Sequence, residues 1–248
     1  MIELRHLDDF VGGGDLFPVV SKELSEVREV VQSASYTDEI GQRLLTVVGE
    51  LAQLAGWVAS DAGRCVEAQR IYLDGVSAAR VAADRTLAAQ LLSSLSYQLA
   101  NGGNPDDGAL LARSAVKGAG DASPLVRALL WERVAWASAR SRDHSGARRA
   151  LAVVDDAYED RSPGVAEPEW VYWLDRREID VMAGRCLIEL AIHIQRHHCW
   201  LGPSTRTMPI TPGKWRYTCR GLRRRTRERA FLMRHMTRSP EFVESREE

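Results

Sequence analysis

The sequence predicts an all-α fold built from short antiparallel helices packed in pairs. Three observations carry this. Apolar residues recur at spacings of three and four from Tyr36 to Leu190, as in RLLTVVGELAQLAGWVAS and LVRALLWERVAWASA. Alanine, leucine, arginine and glutamate, all strong helix formers, fill most of the remaining positions. Breaks fall at DAGR (61–64), NGGNPDD (101–107), GAGDASP (118–124), SRDHSG (141–146) and DRSPGVAEPE (160–169), with no strand-like alternation between them.

Residues 1–45 are less regular and read as an N-terminal helical cap or linker. MIELRHLDDF predicts a short helix, GGGD a break, and LFPVVSKELSEVREVVQSA a second helix capped by Asp15 or Ser21, with Pro18 near its start. Residues 46–190 form a helical repeat. The small residues Gly56, Ser96, Ala135 and Gly184 mark the first helix of each pair at spacings of 40, 39 and 49. In the second helices Ala68, Gly108 and Ala147 repeat at 40 and 39. Small residues at fixed places let two helices approach closely, and bulky Leu54, Leu95 and Val134 keep step to fill the groove. Trp170 and Trp173, after the proline-rich break, read as packing anchors for the fourth unit.

The unit LAQLAGWVASDAGRCVEAQRIYLDGVSAAR, with Gly56, Gly63, Ala68, Tyr72 and Gly75, resembles a tetratricopeptide repeat. The period exceeds the usual ~34 residues, so helices or loops must be longer. The alternative is a generic alanine-rich bundle. The phrases RLLTVVGELAQLAGWVASDAGR, LLSSLSYQLAN, SPLVRALLWERVAWASAR and EPEWVYWLDRREIDVMAGRCLIEL resemble the C-terminal region of actinobacterial XRE-class helix-turn-helix transcriptional regulators. The resemblance covers roughly residues 1–190. It implies a stacked, tetratricopeptide-like solenoid that regulates a linked DNA-binding domain. That domain is missing from this sequence, and SEVREVVQSASYTDEIGQRL lacks the basic and amide side chains a recognition helix needs. The expectation is therefore a regulatory half without its own DNA reader, touching DNA only indirectly in the intact family.

Residues 191–248 differ from the body. Of the 248 residues, those from 192 onward carry 13 Lys+Arg against 5 Asp+Glu, whereas residues 1–191 carry 20 against 29. The body holds 29 alanines and the tail only Ala230. Four of the six histidines lie in the tail. With 30 arginines and 3 lysines, the chain suggests a GC-rich gene. Back-translation of Gly213 to Phe231, read from the third base of each codon, can give EVALYLSWLAEAYARTGV, an ordinary repeat helix. We therefore read 191–248 as a basic, poorly ordered tail arising from a frame shift near Leu190. The nucleotide sequence across Leu190 decides the point: the idea fails if no one-base change restores the repeat. Alternatively, Arg223, Arg224, Arg225, Arg227 and Arg229 form a nucleic-acid-binding run acting through phosphate contacts. A third possibility is a gene product without a role.

Chemistry in the body is sparse. The sequence has no P-loop, GxSxG, HExxH or dinucleotide-binding glycine pattern, so we expect no enzyme, catalytic residue or cofactor. His193, His197, His198 and Cys199 make an HxxxHHC cluster, but we expect no metal site there. No run of about 18 apolar residues predicts a membrane helix. MIELRHLDDF lacks the pattern of a secretory signal, and the four cysteines show no CxxC spacing, so a cytoplasmic protein with reduced thiols is expected.

One constellation points to binding. Trp57, Tyr97, Trp136 and Arg185 each follow the marking small residue of a first helix. First helices line the concave side of a tetratricopeptide stack. At helical spacing the same face carries Gln53, Asp61, Asn101, Glu132 and Arg140, along with Glu50, Gln90, Ser93, Glu178 and Glu189. Aromatic rings among polar groups suit a peptide, a small ligand or a partner protein. A homodimer is also compatible. The competing reading packs these rings between neighbouring helices.

Overall fold

Every helix needs a way to stop, and here one short device both stops a helix and starts the next. At Gly63, Ala83, Gly103 and Arg142 the backbone turns left-handed, with φ of 81°, 58°, 101° and 66°. The N–H one residue further on then reaches back to a carbonyl in the finished helix: Arg64 to Ala59 (2.8 Å), Asp84 to Ala79 (2.9 Å), Asn104 to Leu99 (3.1 Å) and Asp143 to Ser138 (2.8 Å). This is the Schellman closure. The side chains of Asp84, Asn104 and Asp143 next accept from Leu87, Asp107 and Gly146 backbone N–H groups, opening the following helix. Accepting that backbone bond holds the Asp143 carboxyl below its ordinary value.

The computed structural model describes residues 2–8 and 10–200, with side chains through residue 191. Among these residues the chain is all-helical. The elements are α1 (Ile2–Asp8), α2 (Gly13–Ser33), α3 (Asp38–Asp61), α4 (Cys65–Val81), α5 (Arg85–Gly102), α6 (Pro105–Gly118), α7 (Pro124–Arg140) and α8 (His144–Glu159). A 3-10 turn at Glu169–Val171 and α9 (Arg176–Trp200) follow. From α2 to α9 each helix packs against the next, and α3, α5, α7 and α9 also touch in series. No described helix is long and apolar enough to cross a membrane.

The breaks at 61–64, 101–107, 118–124, 141–146 and 160–169 fall at helix boundaries as the sequence predicts, whereas most of GGGD (12–15) lies inside α2. The boundary between α4 and α5 lacks such a signal. VAADR turns at Ala83, where an alanine takes the left-handed conformation that favours glycine. A left-handed L-residue costs roughly 1–2 kcal/mol, and glycine's greater unfolded-state entropy offsets part of that. Replacing Ala83 with glycine should therefore raise stability by roughly 0.5–1 kcal/mol, read as a higher denaturation midpoint. A lower midpoint would show that the Ala83 methyl makes a compensating contact.

The N-terminal segment departs from expectation. Gly13 and Gly14 already belong to α2, Gly12 is its N-cap without a side-chain bond, and Pro18 and Ser21 sit inside the helix. Neither Asp15 nor Ser21 is the cap. Close packing selects that start: a Cβ on Gly13 would lie 2.9 Å from the Val58 carbonyl oxygen and from Asp61 Oδ2.

The repeat's small residues do bring helices together. A Cβ on Gly56 would meet the Tyr72 ring of α4 at 2.5 Å, and one on Gly108 would meet the Ser96 carbonyl of α5 at 2.9 Å. Gly184, their counterpart in α9, has no described residue within 4 Å of that position. Leu187 and Ile188 on α9 are exposed, whereas Leu190 is buried beside Met182 and Cys186. Trp170 is buried in the core between α7 and α8, with Trp173 partly buried beside it. The Trp173 indole N–H donates to the Trp170 carbonyl (3.1 Å).

Candidate functional site

The site is built by register. Gln53 and Trp57 are one turn apart in α3, Ser93 and Tyr97 in α5, and Glu132 and Trp136 in α7. Because α3, α5, α7 and α9 touch in series, these turns lie side by side. Trp57 and Tyr97 stack with centroids 6.0 Å apart and 25° between planes. Tyr97 and Trp136 follow at 6.3 Å and 38°.

Guanidinium groups interleave the rings. Arg133 lies 4.4 Å from the Tyr97 centroid and 5.9 Å from that of Trp173. Arg185, from α9, lies 4.8 Å from Trp136 and 6.0 Å from Tyr97. Arg140 covers Trp136 at 5.9 Å. Each such contact is worth roughly 0.5–2 kcal/mol, more when water is excluded. Hydrogen bonds fix the far end: the Trp136 indole N–H donates to Asn101 Oδ1 (3.1 Å), and Arg140 donates to the Ala100 carbonyl (3.2 Å) and to Glu189 (2.9 Å). The near end is set by Ser93, whose hydroxyl donates to Gln90 (2.9 Å).

Beneath the rings lies a buried ion pair. Glu132 is 1% exposed and Arg133 5%, with 2.8 Å between the Arg133 guanidinium and Glu132 Oε2. Neither Glu132 oxygen accepts a geometrically sound hydrogen bond among the described residues, and Arg133 Nε donates none. Burial pushes the Glu132 carboxyl above its ordinary value, while Arg133 and Arg185 pull it back in part. The Cys186 thiol, buried nearby, is pushed up to about 12 by burial first and by Glu132 second, so it stays protonated at neutral pH.

Seven of the predicted residues therefore come together: Trp57, Tyr97, Trp136, Arg185, Asn101, Glu132 and Arg140. Two do not join the ladder. Gln53 points to Arg5 of α1, and Asp61 packs against the start of α2. The ladder is also more closed than an open groove: Tyr97 and Trp136 are buried, and only Trp57 is partly exposed. The rings thus pack between neighbouring helices as well as facing one side. Arg133 and Arg5 were missed by sequence reasoning. Arg133 lies three residues before Trp136, a spacing that shares a face, and that was its signal. Arg5 carried none, because its partners are about 45 residues away.

Arg223, Arg224, Arg225, Arg227 and Arg229 lie outside the described residues, as do the side chains of the HxxxHHC cluster. Among the described residues no group of three or more histidines, cysteines, aspartates or glutamates is placed to hold a metal ion. No family model matches the chain, and searches of curated proteins and solved structures likewise give no match.

Proposed function

We propose that this chain is a non-enzymatic, tetratricopeptide-like regulatory or interaction domain that binds a peptide, small ligand or partner protein on the face shared by α3, α5, α7 and α9. The observation that carries the reading is the ladder of Trp57, Tyr97 and Trp136 with Arg133 and Arg185 set between the rings. Trp57 is the partly exposed ring of the ladder and the part of it that a ligand reaches first. The solenoid arrangement is supported by serial contact among alternate helices and by close approach at Gly56 and Gly108.

The test is a binding screen on the full chain, read by thermal shift and tryptophan fluorescence. A ligand of this face should lose at least tenfold in affinity on Trp57→Ala and on Arg185→Ala, with circular dichroism unchanged. Ligand binding at full strength in both variants would sink the proposal. The basic tail supplies the competing reading, through its net charge of +8 over residues 192–248. Salt-dependent DNA binding that disappears when those residues are deleted would favour it.

A further inference from the structure

α1 is seven residues long, too short to hold a helix by its own backbone bonds, so it persists through docking. Its most deeply buried side chain is one arginine. Arg5 is 7% exposed and donates to Gln53 Oε1 (2.5 Å) and to the Glu50 carbonyl (3.3 Å), both in α3. On its other side the Tyr172 hydroxyl donates to the Arg5 carbonyl (3.5 Å), and the His6 and Tyr172 rings lie 4.6 Å apart. α1 therefore bridges α3 to the segment just ahead of α9. Leu4 packs partly into the core, while Ile2 and Leu7 stay exposed. Burial disfavours the Arg5 guanidinium, and the nearby Glu50 and Asp8 charges offset only part of that cost. Gln53 lies one turn from Trp57, so the docking site and the aromatic ladder share helix α3.

We propose that α1 is a displaceable strap: its Arg5 fills, in cis, a docking site made by Gln53, Glu50 and Tyr172 that a separate helical peptide carrying adjacent leucine and arginine takes when the strap leaves. This deepens the binding function proposed above and rests on it, by naming the partner's chemistry. An attached strap competes at an effective concentration in the mM range, so the unaltered chain resists peptides weaker than that.

The experiment uses the full chain, its Arg5→Ala variant and the synthetic peptide MIELRHLDDF. In the unaltered chain, α1 amides should exchange with solvent at least a hundredfold faster than those of α5 and α7. Exchange of α1 only with the whole fold overturns the proposal, and this holds even should the variant fail to fold. The Arg5→Ala chain should bind the peptide at least tenfold more tightly than the unaltered chain does. The same peptide with its arginine changed to alanine should not bind. Equal binding to both chains, or none to a folded Arg5→Ala chain, overturns the strap. Adding Trp57→Ala separates the two ideas. Weakened peptide binding joins strap and ladder in one site, whereas unchanged binding overturns the ladder's role and leaves the strap standing.

Discussion

Trp136→Ala should lower the stability of the full chain by about 3–5 kcal/mol, the usual cost of emptying a buried tryptophan site. The ring is 4% exposed and packs in one cluster with Val134, Met182, Cys186 and Leu190. Its removal opens a cavity between α5, α7 and α9 and strips two guanidinium groups of their aromatic partner. Asn101 Oδ1 also loses its indole donor. Urea denaturation of the unaltered and Ala chains measures the difference. Trp57→Ala is the internal control: Trp57 is only partly buried, and its loss should cost clearly less. A Trp136→Ala cost below 1 kcal/mol would mean that the ring lies free on the surface and that the ladder is not core. Of the two tryptophans, only Trp57 suits a binding test that leaves the fold intact.

The contrast shows what a sequence can and cannot convey about such a site. Periodicity put Trp57, Tyr97 and Trp136 on one face because helical register is local and is written in spacings of three and four. The small residues Gly56 and Gly108 announced where helices approach, and Tyr72 and the Ser96 carbonyl meet them there. Depth of burial is a different quantity. Glu132 reads as polar and surface-facing, yet it is 1% exposed and paired with Arg133 of its own helix, with the charge of Arg185 on α9 also acting on it. The boundary at Ala83 stayed hidden for a related reason. Its turn is enforced by the Asp84 cap and by the helices packed on either side, which hold an alanine where glycine is the easier residue. The dock of Arg5 depends on contacts to α3 and Tyr172 that no local pattern encodes.

The Glu132–Arg133 pair yields the second large effect, and its pH dependence identifies the cause. Arg133→Met keeps a long apolar stem but removes the 2.8 Å ion pair and the stacking over Tyr97. Breaking a buried pair by removing one partner typically costs about 3–5 kcal/mol, since the remaining charge is left in a dry site. Here that charge is a carboxylate already raised by burial, and Arg133 is the larger of the two cations that oppose the rise. Without Arg133 the Glu132 carboxyl rises further. A carboxyl whose folded value lies above its unfolded value makes the native state bind more protons, so stability falls as pH rises between the two. The loss on Arg133→Met should therefore be smallest near pH 4.5, the ordinary value for glutamate, and grow as pH climbs from there. Each tenfold change in proton affinity corresponds to about 1.4 kcal/mol. Adding Glu132→Gln to Arg133→Met should flatten the dependence and recover most of the loss at pH 8, because no buried charge then remains to be neutralised. Denaturation midpoints across that range measure both effects. A destabilisation that stays constant with pH would place the cost in lost packing on Tyr97 instead, and would mean that Glu132 is not the stranded charge.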